Sequence, residues 1–271
     1  MKCFSFKELN FKNGIFDNSI DCSYIIHLED NTNRLKNIKI QLNKFKPTSK
    51  IYIYNNKGFK KCKKNLYKQK TNYDIIHSYI EIFKHAQLNN YNNIFIFEDD
   101  FILDRLFLKE DINNINNFCN ENKHKKFTLS LGILPVLYYP KNYYFKNILL
   151  GVSMHNTIFS KNIRDYILKN THFINKVGDW DVYNNTLLCR YFYYKPLIYQ
   201  KFEETENQKN WPLSFFGIKY IILKYMKFID FNNNPKRAFQ IHYKIAMILN
   251  IFIILLILLI LFIIYYFVTK S

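Results

Sequence analysis

Asn93-Ile94-Phe95-Ile96-Phe97 runs directly into Glu98-Asp99-Asp100. The apolar run predicts a short strand buried on both faces, as in the interior of a parallel sheet. Three acids at the mouth of such a strand repel one another and lose hydration, which is costly unless a cation neutralises them. Oxygen-rich sites of this kind suit Mg²⁺ or Mn²⁺, held by one or two carboxylates with water or phosphate in the remaining positions. Ligands of open α/β sheets gather at the carboxyl ends of the strands. A solvated acidic turn is the other reading of the same residues.

Strand and helix patterns alternate around this segment. Tyr24–Leu28 and Ile51–Tyr54 read as strands. Asn33–Phe45 reads as a helix, with Leu35, Ile38 and Leu42 at helical spacing, and so does Tyr73–Leu88. Further strands are predicted at Phe127–Leu131, Leu149–Thr157 and Tyr191–Tyr199, with a helix at Ile163–Lys169. Gly58–Lys70 is a lysine-rich loop, and Asn113–Lys126 is polar enough for a loop or a mobile helix. The alternation predicts one α/β domain with a mostly parallel sheet. The six glycines are isolated, with no G-x-G-x-x-G and no phosphate-cradling loop. A Rossmann dehydrogenase or a P-loop nucleotidase is therefore not expected.

Ile245–Val268 carries no charge and contains the run Ile-Phe-Ile-Ile-Leu-Leu-Ile-Leu-Leu-Ile-Leu-Phe-Ile-Ile. As a helix it would extend roughly 36 Å, enough for a ~30 Å hydrocarbon core with some tilt. Tyr243, Tyr265 and Tyr266 stand near its ends, where interfacial aromatics belong. The expected organisation is an N-terminal extension over 1–21, a domain over 22–230, a basic linker over 231–244, a transmembrane helix over 245–268 and a short tail over 269–271. No apolar signal core precedes the domain, so a tail anchor is expected. Lys236, Arg237, His242 and Lys244 ahead of the span favour a cytoplasmic domain. The five cysteines are scattered, odd in number and never in a C-x-x-C arrangement, which argues against a zinc site or a disulfide framework and for reduced thiols. The net charge of +18 accompanies abundant Lys, Asn, Ile, Tyr and Phe. Those residues have A/T-rich codons, so genome bias and attraction to anionic membranes or phosphates both account for it. The lysine clusters match no nucleic-acid recognition motif, and a nucleic-acid partner is not expected.

Three blocks carry a family resemblance. The first is Tyr24-Ile25-Ile26-His27-Leu28-Glu29-Asp30 followed by Asn33-Arg34-Leu35-Lys36. The second is the helix His77–Ala86 followed by Ile94–Asp100. The third is Gly178-Asp179-Trp180-Asp181-Val182-Tyr183 with the later Tyr193-Tyr194-Lys195-Pro196-Leu197-Ile198-Tyr199-Gln200. Together they resemble glycosyltransferase family 25, the group of lipopolysaccharide and procollagen galactosyltransferases. His27 stands where the family has Asn, and Tyr79 where it has His.

The resemblance implies a GT-A-like fold, a UDP-sugar donor, a Mn²⁺ or Mg²⁺ cofactor, and transfer of galactose or glucose with inversion to a glycan, lipid or protein acceptor. It implies Glu98, Asp100 and His155 as metal ligands, with Leu28, Arg34, Glu98 and Asp99 toward the nucleotide sugar. Strand alternation puts Glu98 and Asp100 on one side and Asp99 on the other, ranking the first two above Asp99 for the metal. Inversion needs a carboxylate to take the acceptor's proton. Asp181 is the first candidate and Asp179 the second, and Trp180 beside them is placed to pack on a sugar ring. Each has a plain structural alternative: a helix cap for the aspartates, an exposed helical position for Arg34, a structural histidine for His155. Asp104 reads as either an outer support to the acids or a turn residue. At the level of function the alternatives are a non-catalytic membrane or viral envelope protein on a degenerate version of this fold, and a basic membrane-tethered nucleic-acid binder.

Overall fold

The structure is a computed structural model describing residues 2–103, 107–201 and 218–270. In chain order the strands are β1 (Phe4–Asn10), β2 (Cys22–Leu28), β3 (Lys50–Asn56), β4 (Asn93–Glu98), β5 (Phe101–Leu103), β6 (Thr128–Ser130), β7 (Leu134–Pro140), β8 (Phe145–Val152), β9 (Asn156–Ser160), β10 (Arg190–Tyr193) and β11 (Ile198–Gln200). The helices are α1 (Thr32–Lys44), α2 (Thr71–Leu88), α3 (Lys109–Glu121), α4 (Lys161–Lys169), α5 (Thr171–Val177), α6 (Trp180–Asn184), α7 (Ile218–Phe228) and α8 (Pro235–Lys270).

β4 lies inside a nine-stranded sheet of order β1-β3-β2-β4-β9-β6-β10-β8-β7. Its alternate side chains enter two cores, as a strand covered on both faces requires. Phe95 and Phe97 pack with Ile38 and Leu42 of α1 and with Ile115 and Phe118 of α3. Ile94 and Ile96 pack with Ile76, Tyr79 and Phe83 of α2, Ile163 of α4 and Trp180 of α6. The fold is thus three-layered and of mixed α/β class. The β3-β2-β4 segment is parallel, as is β6-β10, while the remaining ladders are antiparallel. Parallel order therefore holds at β3-β2-β4 and β6-β10 and gives way at β1, at β9 between β4 and β6, and along the β10-β8-β7 edge.

Several boundaries differ from expectation. The N-terminal extension supplies β1, which pairs antiparallel with β3 from Phe4↔Asn56 to Asn10↔Lys50. Its Phe4 and Phe6 pack on the α2 side of the sheet. The Asn113–Lys126 segment is largely α3, because Ile115, Phe118 and Cys119 face the core. The late strand divides into β10 and β11 around Pro196, which has no N–H to give a ladder. The linker is helical from Pro235, and α8 packs along β7 before it becomes bare.

Cys3 and Cys62 form a disulfide with Cα atoms 5.5 Å apart, against the expectation of reduced thiols. The β1–β3 register sets Cys3 beside Lys57, whose N–H donates to the Cys3 carbonyl, and the chain then turns back at Gly58 with φ +72°. Sequence spacing carries no trace of that juxtaposition, because the register of two strands creates it.

Gly132 determines where β11 lies. A Cβ at this position would overlap the Ile198 carbonyl oxygen, and β11 ends in Gln200 at the candidate site. Forcing extra atoms into a packed interior costs about 1–3 kcal/mol or more. Gly132→Ala is expected to destabilise by about 3 kcal/mol, measured by denaturant unfolding. An unchanged midpoint would mean that β11 is free to shift.

Candidate active site

The three acids at the end of β4 meet different surroundings. Asp99 is buried and fully engaged. Its Oδ2 meets His27 Nδ1 at 2.9 Å and accepts the Leu28 N–H at 3.3 Å, while Oδ1 accepts Arg34 Nη1 at 2.6 Å. Asn31 caps α1 through the Arg34 N–H and so fixes the start of the helix that carries this guanidinium. Asp99 thus ties β2 and α1 to β4, with both of its oxygens already engaged. Leu28 contributes its backbone N–H to this tie, and its side chain is exposed.

Asp100 is the reverse. Gln200 Nε2 donates to its Oδ2 at 3.1 Å, and Arg34 Nη2 stands 3.5 Å from the same oxygen. Its Oδ1 is buried with no hydrogen-bond partner. Burial, opposed by Arg34 and reinforced by Asp99, pushes the Asp100 carboxyl up to about 6. Half-buried Glu98 accepts weakly from Tyr79 Oη at 3.5 Å. Burial and then the charges of Asp100, Asp181 and Asp99 push it up to about 8. Burial and mutual repulsion thus raise both carboxyls despite the Arg34 guanidinium beside Asp100.

Asp181 comes from the opposite side of the chain, on α6. Its Oδ2 accepts the Ser153 N–H at 2.8 Å and its Oδ1 the Met154 N–H at 3.2 Å. Burial pushes it up to about 6, against the pull of those N–H groups. Asp179 instead caps α6, accepting the Val182 N–H at 3.0 Å, which is its structural alternative realised. Trp180 is buried and stacked on Tyr79 at 4.0 Å between ring centroids, so it has no face for a sugar. Its position on the inner face of a short helix decides this.

Ser153 joins these groups and had no sequence signal. It is a non-glycine residue with φ +67°, a backbone strain that clusters at functional sites. Its N–H holds Asp181, its Oγ–H donates to Gln200 Oε1 at 2.6 Å, and its carbonyl accepts His155 Nδ1–H at 2.7 Å. A continuous hydrogen-bonded path thus runs Asp181–Ser153–Gln200–Asp100. Gln200, carried only by the family resemblance, is its central link. The same strained residue divides the expected Leu149–Thr157 strand into β8 and β9.

His155 is buried, and burial lowers its imidazole to about 3, so it is neutral. With Nδ1 bonded to Ser153, Nε2 keeps a free lone pair and has no partner. That is the tautomer a metal-binding histidine uses. However, among the described residues no three His, Cys, Asp or Glu side chains converge as a metal cage. The residues present do fit a divalent cation held by one or two carboxylates with oxygens from water and phosphate. The bare buried Asp100 Oδ1 and the excess of buried negative charge are the reasons. Asp104 lies outside the described residues.

No family model matches the chain, and no curated protein matches it. Among solved structures it is similar to the one described as "Crystal Structure of A197 from STIV", with a TM-score of 0.40 and 10% identity over 68% of this chain and 86% of that one. At that level neither function nor site residues follow from the similarity.

Proposed function

We propose that this chain is a membrane-anchored, metal-dependent hexosyltransferase that moves galactose or glucose from a UDP-sugar to an acceptor hydroxyl with inversion. The observation that carries the reading is the Glu98–Asp100 pair at the carboxyl end of β4, with a buried unpartnered Asp100 oxygen and Asp181 linked to it from a separate segment. The resemblance to glycosyltransferase family 25 supplies the donor class.

On this reading Asp100 and Glu98 hold the Mn²⁺ or Mg²⁺. When bound, the ion neutralises charge on the departing diphosphate. Arg34 adds fixed positive charge beside Asp100, and Asp99 holds Arg34 and the end of β2 in place. Asp181 takes the proton from the acceptor hydroxyl. Ser153 and Gln200 keep the proton acceptor and the metal-side carboxylate in a fixed relation, the kind of preorganisation that reaction between bound groups needs. The bare apolar length of α8 anchors the domain. The domain faces a compartment able to sustain the Cys3–Cys62 disulfide, which a reducing cytosol is not. This is the side opposite to that expected from the basic residues ahead of the span.

A second reading, a non-catalytic membrane protein on this fold, draws on one observation: both Asp181 oxygens already accept backbone N–H groups. One experiment separates the two. The full chain in vesicles is incubated with a panel of nucleotide sugars and Mn²⁺, and release of nucleotide is followed. UDP release from UDP-galactose or UDP-glucose that stops in chelator is the expected result. Failure of every nucleotide sugar to bind would leave the non-catalytic reading. Protease added to sealed cell-derived vesicles of known sidedness tests the orientation, and digestion from the cytosolic side would overturn it.

A further inference from the structure

α8 and β7 are locked together. His242 Nε2 lies 2.9 Å from the Pro135 carbonyl oxygen; Asn250 Nδ2 donates to the Val136 carbonyl at 2.9 Å, and the Tyr138 N–H donates to Asn250 Oδ1 at 2.9 Å. The contacts advance along both elements together, so helix and strand run in the same direction. By Asn250 the strand has only Tyr139 and Pro140 left before the hairpin turns into β8. Ala246 and Asn250 are buried against the domain, whereas from Ile251 to Val268 every residue is exposed except half-exposed Ile253. That bare length is roughly 27 Å at 1.5 Å per residue, close to the ~30 Å of a hydrocarbon core.

The apolar helix therefore starts where the β7–β8 hairpin ends. The hairpin's exposed tyrosines are Tyr139, at 48% exposure, and Tyr143, at 74%. Its two charges are both positive, Lys141 and Lys146, and the chain has no acid between Asn122 and Arg164. Lys146 Nζ is held at the tip by the Asn142 and Tyr143 carbonyls, at 2.9 and 3.0 Å. Amphipathic aromatic rings prefer the headgroup layer, and basic groups near a bilayer are attracted to anionic lipid.

We infer that the β7–β8 hairpin is a second membrane contact, its tip seated in the lipid headgroup layer beside the point where α8 enters. The inference rests on the reading of α8 as a membrane span. Its consequence is a fixed pose: two contacts, joined by the Asn250 clasp, prevent the domain from swinging about a single tether.

Depth-dependent quenching tests it. The full chain is reconstituted in phosphatidylcholine vesicles with and without phosphatidylserine, carrying lipid nitroxides either near the headgroup or deep in the acyl chain. Tyr143→Trp and Ile257→Trp are read as differences from the unsubstituted protein. Tyr143→Trp should be quenched by the shallow nitroxide and more strongly with phosphatidylserine, and Ile257→Trp by the deep one. Quenching of Ile257→Trp alone would overturn the hairpin contact and leave the anchor standing. Quenching of neither would remove the anchor and the hairpin contact together. Lys141→Gln with Lys146→Gln should abolish the phosphatidylserine dependence, and its persistence would remove the electrostatic part of the contact.

Discussion

Asp100→Asn is expected to abolish sugar transfer and to weaken Mn²⁺-dependent UDP binding by at least about 10²-fold. That figure is the upper end of what loss of a residue merely supporting a metal ligand costs, and on the proposed reading the ligand itself is lost. The fold should survive, because an asparagine oxygen still accepts from Gln200 Nε2. The metal-free protein should respond in the opposite sense. Asp100 is raised to about 6 from 3.8, so between those values the folded chain binds more protons than the unfolded one. Stability contributed by the protonated carboxyl is full below the unfolded value and is lost as pH rises through about 6. Glu98, raised to about 8 from 4.5, extends the loss to higher pH. Each pKa unit is worth about 1.4 kcal/mol. The melting temperature of the metal-free protein should therefore fall from about pH 4 to about pH 8, and Asp100→Asn should remove part of that slope. Tight UDP binding by the variant in the presence of EDTA would refute the metal assignment.

The second large effect is expected at Asp181. Loss of a general base typically costs about 10² to 10⁴ in rate. Asp181→Asn should lower turnover into that range while UDP affinity stays near that of the unsubstituted chain, because on the proposed reading the residue serves the acceptor side. An asparagine amide also sets a donor against the Ser153 or Met154 N–H, so a stability loss of about 1–3 kcal/mol accompanies it. A pH profile separates the two effects. At saturating Mn²⁺, which would keep Asp100 and Glu98 ionised, the Asp181 carboxyl raised to about 6 predicts that the unsubstituted chain gains activity as pH rises through that value. The variant's residual activity should lack that limb. Asp179→Asn should change little, since asparagine caps a helix as well as aspartate does. The opposite ranking would hand the base to Asp179, and near-normal turnover in both variants would remove the proton-acceptor role from this helix.

Legibility in the sequence followed the range of the interactions. β4 was readable because its own four apolar residues report burial on both faces, and α1 and α2 because apolar residues recur at helical spacing. What depends on register was not. The Cys3–Cys62 bond exists because β1 pairs with β3, and β1 itself is a strand whose residues are mostly exposed or half-exposed, with little apolar signal. Strand alternation alone ranks Glu98 and Asp100 above Asp99, although β4 ends at Glu98. The closure of Asp99 by His27 and Arg34 requires three separate segments and left no local trace. Two of the departures from the family pattern, His27 and Tyr79, lie against the acids, on Asp99 and Glu98 respectively. Ser153 had no comparable sign, because a serine in the left-handed region looks like any other serine until the backbone is known.

The Asn250 clasp also changes what counts as the soluble part of this molecule. β7 is the last strand of the large sheet, and the side-chain amide of Asn250 occupies a backbone N–H and a carbonyl that no tenth strand satisfies. Cutting the chain before α8 would bare that row of groups together with Leu134 and Tyr199, which Ala238 and Phe239 cover. An uncovered outer strand is a template for pairing with another copy. A truncation ending near Asp230 should thus associate strand to strand and come out of solution, whereas one ending shortly after Asn250 should remain monomeric. The anchor is in this sense also the sheet's guard against self-recognition.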